Sequence, residues 1–294
     1  MLHKLFKIEN RNGVVGLNRR GLSLIYPHNH PRDYHLADDK VKTKTVLHDN
    51  NIACAETYAI ITRISDIPNA WELCKSKNTM AIKPANGCGG GGIMILKKDD
   101  KGHWVSSGNR IKDDDILQHM TNIVSGLYSM NSDDSCLVEE CIVPHPFFAE
   151  IYHEGVPDFR VITLNAQPVM AMLRMPTSKS GGKANLHQKG VGIGVDIIRG
   201  TLTQVYDGKR YLDHHPDNPI SIADKPIPYW EELKQLSIDT ANAFPLKYLG
   251  IDLVIDALKG PQIMEVNVRP GLGIQLVNKC GLDKAIEQFY NPNL

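Results

Sequence analysis

Apolar and polar residues follow a helical period most clearly at residues 113–130. Behind three aspartates, the apolar residues fall on one helix face, and they are Ile116, Leu117, Met120, Ile123, Val124 and Leu127. The spacing predicts an amphipathic helix over 113–130. Pro68 fits the first turn of a short helix. Further helices are predicted at 39–49, 228–244 and 282–290, the first of them capped by Asp38 or Asp39.

Runs rich in β-branched and other apolar residues predict strands between these helices. They are residues 57–64, 80–83, 93–98, 136–142, 159–164, 169–175, 191–198, 201–206, 250–256 and 262–268. Most of the strands follow one another directly instead of alternating with helices. This order favours α+β lobes over a doubly wound parallel sheet.

Composition narrows the class of protein. Lys and Arg number 33, as do Asp and Glu, and 42% of the residues are hydrophobic. These values are typical of a globular protein and exclude a disordered or collagen-like chain. A nucleic-acid binder usually carries a basic excess, so the balanced charge favours a small-molecule partner and no nucleic acid.

The cysteines and the hydropathy pattern indicate a compartment. The six cysteines never form a CxxC motif, which argues against a zinc site or a disulfide framework and indicates reduced thiols. The first ten residues carry charges, unlike a signal peptide, and no run reaches the roughly 18 apolar residues of a membrane span. We expect a cytoplasmic protein without a membrane span.

A glycine cluster at 87–92 formally satisfies the GxGxxG dinucleotide-binding pattern. That pattern requires a following helix, whereas residues 93–96 are a β-branched apolar run. A strand–loop–strand unit of this kind is a flexible flap whose N–H groups can surround a polyphosphate. Lys83 lies just upstream and could add its charge to the same phosphates. The alternative is a plain glycine-rich loop beside a solvated lysine.

Two β-patterned runs near the C-terminal end place oxygen ligands on one face. With a two-residue turn at 259–260, Asp252 faces Asn267 and Val254 faces Glu265. Two carboxylates and an amide oxygen, without His or Cys, suit Mg²⁺ better than zinc. The alternative is a solvated outer face of a hairpin.

Two arginines lie on a second predicted hairpin, at 158–165 and 169–174. A three-residue loop would place Arg160 opposite Arg174, which is unfavourable unless an anion lies between them. The pair would then form a clamp for a phosphate or a carboxylate. A two-residue loop would separate them, and half-exposed packing is the alternative role of each arginine.

Taken in chain order, these motifs resemble those of ATP-grasp carboxylate–amine ligases, and are most similar to RimK-type glutamate ligases and their relatives. The resemblance covers residues 38–275. It rests on Asp39-Lys40, Ile82-Lys83-Pro84 with the glycine cluster, Val138 to Ile142, Asp158-Phe159-Arg160, Asn185-Leu186-His187, Gly250-Ile251-Asp252 and Met264 to Asn267 with Pro270-Gly271-Leu272.

The resemblance implies an ATP-grasp fold, in which two α+β lobes clasp ATP. The implied division is an N-terminal segment at 1–39, a lobe with the glycine flap at 40–138, and a lobe with the metal site at 139–294. The segment at 1–39 stands where the family carries a full N-terminal domain. We therefore expect part of the substrate site to be shortened, or to be completed by a homo-oligomer or a partner chain.

The resemblance also assigns residues. The implied ATP contacts are Lys40, Lys83, the flap glycines Gly89, Gly90 and Gly91, and the segment Glu139, Glu140, Cys141 and Ile142, whose backbone would contact adenine while an acidic side chain holds the ribose. Implied metal ligands are Asp252, Glu265 and Asn267. Implied positions around the γ-phosphate and the reacting carboxylate are Arg160, Arg174, Asn185 and Arg269.

The implied reaction forms an amide. A small-molecule or peptide carboxylate attacks the γ-phosphate of ATP, and an amine then displaces phosphate from the acyl phosphate. ATP and two Mg²⁺ ions, with Mn²⁺ as a substitute, are the implied cofactors. Two alternatives stay open: a phosphotransferase on the same fold, and a nucleotide-binding partner protein without catalysis.

Two features depart from the resemblance. Lys189 stands where similar sequences tend to have glycine; it restricts the backbone and adds a cation on the acceptor side. The segment around Phe147 and Phe148 has no counterpart and is a candidate surface for the acceptor or a partner.

Overall fold

The computed structural model describes residues 13–87, 90–130 and 132–290. Their contacts divide them into two compact units. One unit is continuous and comprises the described residues of 35–143. The other is discontinuous and combines the described residues of 1–34 with those of 144–294.

Helices and strands alternate irregularly along the described chain. The helices are α1 (Leu17–Arg19), α2 (Tyr26–His28), α3 (His35–Asp38), α4 (Lys40–Asp49), α5 (Ile67–Cys74), α6 (Asp113–Val124), α7 (Pro146–Ala149), α8 (Trp230–Ala243), α9 (Gly273–Val277) and α10 (Leu282–Tyr290). A π-helical segment covers Arg20–Ile25, and 3-10 turns cover Pro31–Asp33, Ile64–Asp66 and Leu186–Gln188.

The strands form two larger antiparallel sheets and a short ribbon. They are β1 (Thr57–Ile61), β2 (Thr79–Pro84), β3 (Met94–Lys98), β4 (Trp104–Ser106), β5 (Asn109–Arg110), β6 (Cys136–Glu139), β7 (Asp158–Leu164), β8 (Gln167–Met175), β9 (Val191–Asp196), β10 (Thr201–Tyr206), β11 (Tyr211–Leu212), β12 (His214–His215), β13 (Asn218–Ser221), β14 (Tyr248–Asp256) and β15 (Gly260–Asn267). Mixed helices and antiparallel sheets confirm the predicted α+β class.

The continuous unit is built on a sheet in the order β1-β6-β2-β3-β4-β5. Helices α5 and α6 cover one face, and Met80 and Ile82 of β2 lie in the core with Met120 of α6, all fully buried. Alternate residues of β2 point to the other face, so Lys83 lies opposite the helices. The alternation of side chains along β2 thus determines which of them pack in the core and which remain available for a functional site.

Helix α6 is shorter than predicted. It ends at Val124 because Gly126 adopts a left-handed conformation, with φ at 79°, which terminates a helix. Leu127 therefore lies in a turn and is exposed. The apolar period alone gave no sign of this stop, whereas the glycine did.

The discontinuous unit is built on a sheet in the order β11-β10-β9-β8-β7-β14-β15. Helix α8 contacts β7, β8, β14 and β15. Helices α9 and α10 contact β8, and residues of all three elements belong to one apolar cluster that includes Ile162, Met172 and Val277. The early segment of this unit, the described residues before 35, is hydrogen-bonded to the later segment, the described residues after 143. Val15 N donates to Gln275 Oε1 at 2.7 Å, and Gln275 Nε2 donates back to Val15 O at 3.0 Å.

The segment around Phe147 and Phe148 was expected to form a surface for the acceptor or a partner. Both side chains are buried, so they contribute to the interior and not to that surface. Within the described residues, no helix is both long and apolar enough to cross a bilayer.

Candidate functional site

The continuous unit holds a buried cluster of two lysines around one carboxylate. Residues 81 and 139 are cross-strand partners, so Lys83 and Glu139 share a sheet face. Lys83 forms an ion pair with Glu139 Oε1, and Lys44 Nζ of α4 lies 3.1 Å from Glu139 Oε2. All three side chains are about nine-tenths buried. Glu139 therefore fixes two ammonium groups at one place.

The protonation of this cluster follows from its charges. Burial acts to raise the pKa of Glu139, but Lys83 and Lys44 outweigh it and hold that pKa below its ordinary value. Glu139 is thus an anion that neutralises part of the positive charge. Lys44 is a residue that the sequence analysis missed; its i+4 spacing from Lys40 on α4 was the available signal.

Lys40 lies at the start of the glycine cluster. Asp39 caps α4 as predicted, accepting from the backbone N–H groups of Val41 at 2.8 Å and Lys42 at 3.2 Å. The Lys40 ammonium then donates to Gly87 O at 2.8 Å and to Ala85 O at 3.3 Å. The structure therefore places one predicted phosphate-contacting lysine beside the flap.

The described part of the flap is anchored at its far end. Gly90 and Gly92 have positive φ, at 74° and 76°, as a glycine turn requires. His119 Nε2 lies 2.9 Å from Gly92 O, and a Cβ at position 92 would meet the Tyr128 ring at 2.6 Å. Gly91 lies in the same turn, whereas the predicted contact Gly89 lies outside the described residues.

The segment after β6 leads out of the continuous unit. Glu140 is hydrogen-bonded to the segment just before β1. Its N–H donates to Glu56 O at 2.9 Å, and its Oε2 accepts from Glu56 N at 3.3 Å. Burial raises the pKa of the Cys141 thiol to about 11. Ile142 is half-buried. The contact of this segment with adenine and ribose stays a prediction.

The discontinuous unit holds a second charge network, centred on Asp252. Arg160 and Asp252 are cross-strand partners on β7 and β14. Arg160 Nε donates to Asp252 Oδ1 at 2.7 Å, and its Nη2 donates to Oδ2 at 2.5 Å. Arg174 Nη2 reaches the same Oδ2 at 2.8 Å. Asp252 is only 1% exposed, so these cations compensate a charge that water does not reach.

A second carboxylate completes the network. Asp158 pairs with Arg174 in the register and accepts from both its Nε and its Nη2. Burial lowers the pKa of Arg174, but Asp158 and Asp252 outweigh it and raise that pKa. Burial of Asp252 likewise acts to raise its pKa, and Arg160 and Arg174 hold it below the ordinary value. Arg174 and Asp252 are therefore both charged.

The arginine hairpin closes through two residues, Asn165 and Ala166, both with positive φ. This is one of the two loops left open by the sequence, and the arginines are not directly opposite each other, but a bulge between Ile162 and Thr163 places both on one face, where both donate to Asp252. The anion between the two guanidinium groups is the chain's own Asp252. Contact of either arginine with the γ-phosphate stays a prediction.

The carboxylate hairpin has a different register from the predicted one. Asp252 lies opposite Glu265, and Gly250 lies opposite Asn267, because the turn spans residues 257–259 and a bulge follows Asp252. The predicted pairing of Asp252 with Asn267 and of Val254 with Glu265 is wrong. A shift of two residues preserves the face, so the three predicted metal ligands still lie together on one side.

This donor set suits a hard cation. Among the described residues, no three or more His, Cys, Asp or Glu side chains are grouped to hold a metal ion, but the predicted set needs only two carboxylates and one amide. Asn267 Nδ2 donates to Asp252 Oδ2 at 3.3 Å and to Gly250 O at 3.4 Å, which leaves its amide oxygen for a cation. Oxygen donors of this kind fit Mg²⁺.

The remaining predicted residues lie in the same unit, and Asn185 bonds to this network. Asn185 Oδ1 accepts from Arg174 Nη1 at 2.9 Å. Lys189 has a φ of 71°, in the left-handed region that glycine favours, so the restriction expected at this position is real. Arg269 stacks on the Tyr34 ring, 4.6 Å from its centroid. A Cβ on Gly250 would meet Pro270 at 2.4 Å, which fixes the Arg269 segment close to β14.

The site can be compared with known proteins. A family model described as sugar-transfer associated ATP-grasp matches residues 19–291. None of the curated proteins matches this chain.

Solved structures share the fold at low identity. A biotin carboxylase from Campylobacter jejuni is 14% identical, with a TM-score of 0.54 over 86% of this chain and 46% of that one. A D-alanine–D-alanine ligase from Bacillus anthracis is 14% identical, with a TM-score of 0.50 over 87% and 65%. The D-cycloserine synthetase DcsG is 10% identical, with a TM-score of 0.51 over 88% and 71%. The chain thus spans less than two thirds of the first two proteins.

These matches confirm the ATP-grasp part of the prediction, and the nearer likeness to RimK-type ligases stays a prediction. Because the family model spans nearly the whole described chain, this chain has the ATP-grasp fold and belongs to the sugar-transfer associated ATP-grasp family.

Proposed function

We propose that this chain is an ATP-dependent carboxylate–amine ligase. The observation that carries the proposal is Asp252, buried between two arginines on the sheet face that also holds Glu265 and Asn267. Such a cluster of compensated charge is costly to bury, and it has the donors that a metal–nucleotide complex needs. Membership in the ATP-grasp family and the Lys83–Glu139–Lys44 cluster support the same proposal.

The chemistry requires positioning and charge neutralisation more than covalent help. Lys40 and Lys83 would hold phosphate oxygens, and Asp252, Glu265 and Asn267 would hold magnesium. When bound, Mg²⁺ supplies charge neutralisation at the β- and γ-phosphates.

In the first step, a substrate carboxylate oxygen bonds to the γ-phosphorus and the bond to the bridging oxygen breaks, which releases ADP. In the second step, an amine nitrogen bonds to the acyl carbon, loses a proton, and phosphate leaves. Arg160 and Asn185 would orient the acyl group in both steps. The glycine cluster would exclude water, which otherwise hydrolyses the acyl phosphate.

The substrates that we propose are a small-molecule or peptide carboxylate and an amine, with glutamate or another amino acid as candidates. Two magnesium ions are proposed, with Mn²⁺ as a substitute. We also retain the proposal that a second copy or a partner chain completes the substrate site. The division of the chain into an N-terminal segment at 1–39, a lobe with the glycine flap at 40–138 and a lobe with the metal site at 139–294 belongs to the same proposal.

The test is magnesium-dependent ADP release by the purified protein, offered pools of amino acids, short peptides and small carboxylates. Glu265→Ala provides the background, because it removes a metal ligand. The matched control is Glu231→Ala, an exposed carboxylate on α8 that pairs with Lys234 at the surface. Release that one pool stimulates, in the control but not in Glu265→Ala, supports the proposal.

Other outcomes identify the alternatives. Phosphate retained in a stable product would replace the ligase with a phosphotransferase. ATP binding without ADP release from any pool, including with cell extract as a source of partner chains, would indicate a nucleotide-binding protein without catalysis. Absence of nucleotide binding would overturn the proposal altogether.

A further inference from the structure

The two arginines beside Asp252 are held in different ways. Arg174 is bonded through every nitrogen of its guanidinium group. Its Nε donates to Asp158 Oδ1 at 2.8 Å, its Nη2 donates to both Asp158 and Asp252, and its Nη1 donates to Asn185 Oδ1 at 2.9 Å. Its side chain is 7% exposed. Arg174 is therefore an internal bridge between β7, β14 and the loop at residue 185.

Within the part of the chain that the structure describes, Arg160 is hydrogen-bonded along one edge of its guanidinium group only. Its Nε and Nη2 form a bidentate pair with Asp252, and these bonds leave Nη1 for another acceptor. Its side chain is 12% exposed, more than that of Arg174. Of the two guanidinium groups, Arg160 is the one with a donor to offer to a bound anion.

Asp158 determines this difference. Two guanidinium groups face two carboxylates, and Asp158 takes two of the four bonds of Arg174. It is 3% exposed, so water cannot replace it. Without the charge of Asp158, Asp252 would be the only buried counter-ion that both cations contact among the described residues. Arg174, which already donates to Asp252 Oδ2, would then be drawn further onto Asp252, whose oxygens are the proposed metal ligands.

We propose that Asp158 is a positioning residue that holds Arg174 to a single bond with Asp252, the one from Arg174 Nη2 to Asp252 Oδ2. It thereby keeps Arg174 away from Asp252 Oδ1, the oxygen that a metal ion would share with Arg160 Nε, and it leaves Arg160 Nη1 for the substrate anion. This inference rests on the proposed function, because it concerns the metal ligands of that site.

The test measures metal binding, not turnover. Mn²⁺ is titrated into protein with saturating ADP, and free Mn²⁺ is followed by electron paramagnetic resonance. In Asp158→Asn, which keeps the shape of the side chain and removes its charge, we expect Mn²⁺ affinity to fall by at least tenfold. The matched control is Asp256→Asn. Asp256 is another buried carboxylate on β14, and it accepts from the backbone N–H groups of Leu258 at 2.8 Å and Lys259 at 3.0 Å. It should bind Mn²⁺ within threefold of the wild type.

A double variant separates positioning from a structural effect. Asp158→Asn with Arg174→Met removes the displaced cation as well as its partner. We expect its Mn²⁺ affinity to return to within threefold of the wild type, which a general loss of structure would not allow. This variant buries no unpaired charge, so it also serves if the single variant does not fold.

The outcomes distinguish the two proposals. Wild-type Mn²⁺ affinity in Asp158→Asn, or a double variant as weak as the single one, would overturn the positioning role and leave the proposed function intact. If the wild-type protein binds Mn²⁺ no better with ADP than without it, the proposed function fails and this inference fails with it.

Discussion

Lys189 offers a direct measurement of backbone strain beside the candidate site. Its φ is 71°, a conformation that costs a side-chain-bearing residue about 1–2 kcal/mol. Its side chain is exposed, so truncation removes no buried contact. Glycine relieves the strain but adds about 0.4–1 kcal/mol of chain entropy to the unfolded state. We therefore expect Lys189→Gly to stabilise the protein by about 0.5–1 kcal/mol.

The assay is urea denaturation followed by circular dichroism, with thermal unfolding as a second measurement. The expected gain corresponds to a rise in Tm of about 1–4 °C for a protein of this size. The matched control is Lys183→Gly, an exposed lysine in the same loop region whose φ is not positive. That variant adds unfolded-state entropy without relieving strain, so it should lose up to about 1 kcal/mol.

The difference between the two variants is the measure of strain. A Lys189→Gly protein that is destabilised as much as Lys183→Gly would refute the strain argument. Activity measured on the same samples would report whether the Lys189 cation contributes to turnover. The stability comparison does not depend on that result.

Three further predictions follow from the two charge clusters. Glu265→Ala should abolish magnesium-dependent ADP release while ADP binding without metal persists, and turnover at the wild-type rate would remove Glu265 from the metal site. Lys83→Ala should weaken ATP binding by at least tenfold in calorimetric titration, because it deletes a buried cation that we propose to bind phosphate; unchanged affinity would contradict that role. Burial acts to raise the pKa of Glu139, but Lys83 and Lys44 hold it below its ordinary value in the folded protein. Between that folded pKa and the ordinary pKa of the unfolded chain, the unfolded state binds more protons, so stability should fall as the pH drops through this range. In Glu139→Gln the slope of unfolding free energy against pH should be flatter in that range, and an equal slope would show that another group titrates.

Local signals in the sequence were sufficient for much of the fold. Asp39 caps α4 as predicted, and α10 runs over Leu282–Tyr290 as predicted, since both ends of such helices depend on nearby residues. The strand face of Asp252, Glu265 and Asn267 was also predictable, because a period of two survives a register shift of two residues.

The partners of the charged residues were not predictable in this way. A bulge in β15 and a three-residue turn determine that Asp252 lies opposite Glu265, and neither leaves a local signal. The anion between Arg160 and Arg174 was expected to be a substrate, but it is Asp252, which lies 92 positions away from Arg160. Contacts over such separations depend on strand order, which a single sequence does not specify.

The discontinuous unit also has a consequence for synthesis of the protein. Asn29 Nδ2 donates to Tyr248 O at 2.7 Å, across 219 positions of sequence. At about 5–20 residues per second, a ribosome needs roughly 10–45 s to make the second of these residues after the first. The chain of the continuous unit is complete long before that. We therefore expect that unit to fold first, with the early segment awaiting its partner, so that a nascent chain stalled once residue 143 has left the ribosome already resists protease.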